Sequence, residues 1–144
     1  MATKKTCRVY YPTVRHVERA ISMLVGRYPH DSIRWKGGGR EQVEQAIAAA
    51  RWAFRFSRGR PCYERKLAAA AALFYEIITL HPLVDGNKRL ATLLLDAFLI
   101  RNNLPRPRNI AGAALRVAAG EWGQEDVHRW LLRVYRAKRK RWGG

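Results

Sequence analysis

The chain has 144 residues, 48% of them apolar with five Trp, six Tyr and four Phe, which is enough for one packed domain over 1–144 and inconsistent with intrinsic disorder. Twenty-eight Lys and Arg against 11 Asp and Glu leave a net charge of +17, beyond what solubility requires, so a polyanion or an acidic protein is the partner that such a surface attracts. Charged residues or His interrupt every apolar run before the roughly 18 residues of a membrane span, and residues 1–7 are basic with no apolar stretch behind them, so no membrane segment or secretory leader is expected and the expected home is the cytoplasm.

Residues 8–12 look extended, and Thr13 after Pro12 is placed to cap a helix with Val14, Val17, Ile21, Leu24 and Val25 at helical spacing. Pro29 and the run Gly37-Gly38-Gly39 break that pattern, which predicts a mobile loop or small flap, with at most a short strand pair, over 28–39. A second helix from about Arg40 carries Val43, Ala46, Ile47, Ala50 and Phe54, and stops before Ser57, Gly59 and Pro61. A third, from about Tyr63 to Leu80, carries Leu67, Ala70, Ala71, Phe74, Ile77 and Ile78; its alanines permit close approach, so it is expected at the centre. The fourth runs from about Gly86 to Asn103 with Leu90, Leu93, Leu94, Ala97 and Phe98 inward, and two shorter helices follow near 109–119 and 124–138. Every strongly periodic segment has the 3.6-residue period, so the class is all-α, a bundle of about six helices ending in a basic tail over about 136–144.

Cys7 and Cys62 show neither Cys-x-x-C spacing nor His companions, which argues against zinc; they read as free or buried thiols, with one disulfide as the alternative.

The connection between the third and fourth helices, residues 81–89, reads His-Pro-Leu-Val-Asp-Gly-Asn-Lys-Arg. Pro82 stops one helix, and Gly86 lets the backbone turn and approach a ligand closely. The next helix then begins with unpaired N–H groups aimed into the loop, the usual arrangement for holding an anion, and Lys88 and Arg89 add two full charges there. Asp85 among cations stays ionised and suits Mg²⁺ beside a polyphosphate, Asn87 can donate to a phosphate oxygen, and His81 can take a proton from an incoming hydroxyl. Singly, each residue has an ordinary structural role as a cap or a solvated charge. Together these roles account for them less well, because two cations at a helix N-terminus oppose its dipole and cost stability unless an anion sits there.

This string resembles the Fic/Doc family motif, His-Pro-Phe-x-Asp/Glu-Gly-Asn-Gly/Lys-Arg, at His81, Pro82, Asp85, Gly86, Asn87, Lys88 and Arg89, with Leu83 in the place of Phe. The looser helical likeness extends over about residues 10–135. The resemblance implies a compact α-helical core with a flap over the site, and His81 as general base. It implies Asp85 for Mg²⁺, Gly86 and Asn87 for the anion hole, and Lys88 and Arg89 for the phosphates of ATP. AMP-transferring members carry Gly where Lys88 stands and a second Arg where Thr92 stands. Both differences look like the Doc branch, whose members are toxins that move the γ-phosphate to a Thr of a translation elongation factor. The self-inhibiting string Ser/Thr-x-x-x-Glu-Gly/Asn of many Fic proteins does not occur here, so inhibition is expected from an antitoxin whose acidic segment meets the basic surface. Two other readings stand beside the kinase: nucleotidyl transfer on the same scaffold, and a non-catalytic protein binding nucleic acid or the ribosome through its arginines. The arginine excess also fits a hot habitat or a G+C-rich genome.

Overall fold

Thr13 starts the first helix as expected: its side chain accepts from the His16 N–H, and the His16 ring returns a bond to the Thr13 N–H, so two otherwise unpaired donors are satisfied. The computed structural model describes the backbone of residues 6–143 and the side chains of 6–140; residues 1–5 and the side chains of 141–144, at the end of the expected tail, lie outside that description. Among the described residues the elements are α1 (Val14–Arg27), α2 (Gly39–Phe56), α3 (Cys62–Leu80), α4 (Asn87–Arg101), α5 (Ile110–Ala118) and α6 (Gln124–Gly143). The class is all-α, as the periodicity predicts. No described helix is long and apolar enough to cross a membrane.

α3 is the axis of the bundle and packs against α2, α4, α5 and α6. Every residue from 67 to 74 is buried, more than the one face that the spacing suggests, because neighbours cover this helix on all sides. The alanines at 68–72 allow that by keeping the helix thin. One hydrophobic cluster draws buried residues from all six helices, among them Val17, Val43, Phe74, Leu90, Val117 and Leu131. Val25, expected inward, is instead exposed at the far edge of the α1 stripe.

Two further expectations change. α6, expected over about 124–138, continues to Gly143, since Arg and Lys are good helix formers and positive charge suits a helix C-terminus. Cys7 and Cys62, expected as thiols, are joined in a disulfide with Cα atoms 5.6 Å apart. The same N-terminal segment is also held by Asn102, buried just after α4. Its amide accepts from the Tyr10 N–H at 2.9 Å and donates to the Tyr10 carbonyl at 3.0 Å, tying the segment before α1 to the bundle.

Candidate active site

The 81–86 loop is held from two sides. His81 ends α3 in the left-handed region, φ 56°, because Pro82 disfavours the right-handed helix for the residue before it. Asn87, the first residue of α4 and buried, then pins Leu83 with both ends of its amide: Oδ1 accepts from the Leu83 N–H at 2.8 Å, and Nδ2 donates to the Leu83 carbonyl at 2.9 Å. From the other side comes the segment between α1 and α2. Trp35 pairs with Leu83 in one antiparallel bridge, Lys36 N–H donates to the Pro82 carbonyl at 3.0 Å, and Val84 N–H donates to the Arg34 carbonyl at 2.9 Å. Every backbone donor and acceptor of residues 82 and 83, and the N–H of 84, therefore has a partner. Leu83 itself is 1% exposed, so the residue standing where the motif has Phe fills the same inward role, a contribution on the order of 2 kcal/mol.

Two glycines allow this approach. Gly86 has φ 88°, and a Cβ there would press on Ile33 at 3.2 Å; Gly39 opens α2 so close to the loop that a Cβ would overlap the Pro82 carbonyl oxygen. The glycine run expected in a mobile flap thus closes the flap onto the motif instead. Ile33 and Trp35, which do this packing, alternate over too few residues to be read as a strand.

α4 starts behind Gly86 with no side-chain cap, and its first intrahelical donor is Leu90 N–H to the Gly86 carbonyl at 2.9 Å. Its first-turn amides are available to a ligand, and the dipole favours a negative one. Asp85 is exposed beside them: Oδ1 accepts from its neighbour's N–H, Gly86, at 2.8 Å, which leaves Oδ2 for a cation. Among the described residues no group of three His, Cys, Asp or Glu gathers to hold a metal. One carboxylate suits a Mg²⁺ that keeps its waters and arrives with a phosphate chain.

His81 is exposed at the loop's start, with Nδ1 3.3 Å from Asn87 Nδ2. The two Leu83 bonds fix which end of the Asn87 amide is the NH₂, so this contact makes Nδ1 an acceptor and leaves the proton of the neutral ring on Nε2. At 3.3 Å the contact is long and readily exchanged.

Lys88 and Arg89 extend from the same first turn of α4. Both line a cleft of about 450 Å³ between α1, α4 and α5, with Leu24, Leu93 and Ala114 in its walls and Arg27 at its rim. Its size is that of a small-ligand site. A larger concavity of about 560 Å³ lies at the opposite end of α3 and contains none of the motif residues. Arg89 already has an anion: it pairs with the Asp31 carboxylate, and its guanidinium lies 3.7 Å from the centre of the Tyr28 ring. The Asp31 hydrogen bond raises the Arg89 pKa further, so it is fully charged at any working pH. Sequence reasoning missed both Asp31 and Tyr28; a lone acid in a basic loop was the only sign of them.

The sequence model of the Fic/DOC family matches residues 11–99. The chain belongs to the Fic/DOC family. The match spans α1 to α3 and α4 as far as residue 99, and includes the whole 81–89 loop; α5 and α6 lie beyond it. Comparison with curated proteins finds no match to the chain. Fic/DOC proteins generally transfer nucleotidyl or phosphoryl groups to proteins, so transferase chemistry of that kind is the coarse function of this loop.

Proposed function

We propose that this Fic/DOC protein transfers the γ-phosphate of ATP to a hydroxyl of a target protein, in the manner of a Doc toxin. The observation that carries the choice of phosphate is at positions 88 and 92. Lys88 reaches the cleft where AMP-transferring members have Gly, and Thr92, where they have a second Arg, gives its hydroxyl to the Lys88 carbonyl at 2.8 Å. One turn further into α4 there is then no second guanidinium to grip a phosphate chain, and Lys88 offers a cation in the first turn of the helix.

In this reading the first-turn amides of α4, Lys88 and Arg89 hold the phosphates, and Asp85 meets the Mg²⁺ that accompanies them. Asn87 contributes its main-chain N–H, since its side chain holds the loop. The target oxygen attacks the γ-phosphorus as its proton passes to His81, the bond to the β-phosphate oxygen breaks, and ADP leaves. The target is expected to be a translation factor, and the inhibitor a separate antitoxin with an acidic segment. Both expectations rest on the Doc resemblance.

Label transfer tests this. With Mg²⁺ and a bacterial lysate, γ-labelled ATP is expected to mark protein in a reaction that the His81→Asn protein does not support, while α-labelled ATP marks none. Label from the α position would replace phosphoryl with nucleotidyl transfer, and no label from either would remove the enzymatic reading.

Arg89 must exchange Asp31 for phosphate if it grips the nucleotide. Asp31→Asn is therefore expected to tighten Mg-ATP binding by up to about fivefold, the most that a half-exposed ion pair supports. Titration calorimetry reads the change, and weaker binding would mean that Asp31 belongs to the site rather than competing for it.

A further inference from the structure

The end of the bundle away from the motif carries a second concavity of about 530 Å³, walled by Val9, Tyr11, Phe54 and four arginines, Arg51, Arg55, Arg58 and Arg65. None of the four pairs with a carboxylate among the described residues, although all 11 Asp and Glu of the chain are described and six of them do hold an arginine elsewhere. Four like charges around one hollow repel one another, so the free protein bears an uncompensated positive site.

The arginines are also partly set in place. Arg51 lies 4.4 Å from the centre of the Tyr11 ring, and Arg65 lies 3.9 Å from that of Phe54 and donates from Nε to the Phe54 carbonyl at 3.3 Å. Stacking covers the guanidinium faces and leaves their N–H edges to a ligand, the planar fork that matches phosphate oxygens. Burial pushes the Tyr11 hydroxyl up while Arg51, Arg65 and Arg55 pull it back, which places three of these charges around one phenol.

The positive surface does not end there. Arg58 also lines the neighbouring 560 Å³ concavity together with Arg60 and His128, and α6 beyond it exposes Arg133, Arg136 and Arg139 at one-turn spacing. The carboxylates at this end, Glu64 and Glu125, line that neighbour and not the four-arginine hollow. Glu64 is occupied by Arg60 and Arg136.

We infer that this four-arginine hollow and the basic surface beside it bind the phosphodiester backbone of a nucleic acid. A row of closely spaced cations without counter-charge calls for a row of closely spaced anions, one per nucleotide, and the mostly polar hollow has little to offer the apolar side chains of an acidic peptide. Recognition through phosphates alone is independent of base sequence and steeply salt-dependent.

Fluorescence anisotropy with labelled 20-nucleotide single-stranded RNA, single-stranded DNA and duplex DNA tests this on the full chain without ATP, so the outcome does not depend on the transfer reaction. Arg51→Ala/Arg55→Ala/Arg58→Ala is expected to weaken binding by about tenfold or more and to lower the salt slope by about 2, roughly 0.7 per lost contact to a single strand. Arg15→Ala/Arg19→Ala/Arg108→Ala, which removes the same charge from other surfaces, is expected to lose far less. The milder Arg55→Ala/Arg58→Ala, both exposed, repeats the measurement should the triple variant fold poorly. Equal losses in the two triple variants, competition by polyglutamate as strong as by RNA, or no binding by the wild type would each overturn the assignment. Comparison of the three oligonucleotides shows which nucleic acid it prefers.

Discussion

His81→Asn is expected to lower the rate of group transfer by about two to four orders of magnitude, the range for loss of a positioned general base, while leaving Mg-ATP affinity close to that of the wild type. Asn is the suitable replacement because it tolerates the left-handed backbone at this position, where Ala would add strain of its own. His81 is exposed and its one polar contact is the 3.3 Å approach to Asn87, so its removal opens no cavity and the melting temperature should hardly move. Turnover of labelled ATP into protein, compared with a thermal melt, separates the two quantities. A variant that transfers at the wild-type rate would take the base role away from His81.

Replacing Asn87 should have the opposite profile. In Asn87→Ala the Leu83 N–H and carbonyl both lose their partner at a buried site, and an unsatisfied group of that kind costs about 1 to 3 kcal/mol. The sum, about 2 to 6 kcal/mol, corresponds to a drop in Tm on the order of 10 °C for a chain of this size. Transfer should fall as well, because the loop between the base and the phosphate site is no longer held. A fully active variant with an unchanged Tm would show that the flap bonds from Lys36 and Arg34 suffice alone.

That the Asn87 side chain holds the loop through Leu83 could not be read from the sequence, whereas much around it could. The periodicity marks α1 to α6 because each helix turns apolar residues at helical spacing into one core, and Thr13 and Pro82 set boundaries through local chemistry that needs no tertiary information. The motif names the loop for the same reason: its nine residues are contiguous. What the periodicity could not carry is contact between segments far apart in the chain. Ile33 and Trp35 meet the loop about 50 residues later, Asp31 meets Arg89 across 58, and the four arginines of the second hollow come together only when α2, α3 and the segment before α1 are packed. Arg51, Arg55 and Arg58 follow helical spacing, yet without Tyr11 and Arg65 they look like any solvated face.

The Cys7–Cys62 bond closes a covalent ring that encircles α1, the flap and α2, with a separation of 55 residues. In the unfolded chain a ring of that size removes conformational freedom equivalent to about 4 kcal/mol by chain-entropy reasoning. A compartment that keeps thiols reduced withholds this contribution, and an oxidising one supplies it. The lifetime of the folded protein is thereby linked to the redox state of its surroundings, through a bond at the far end of α3 from His81, about 28 Å along that helix.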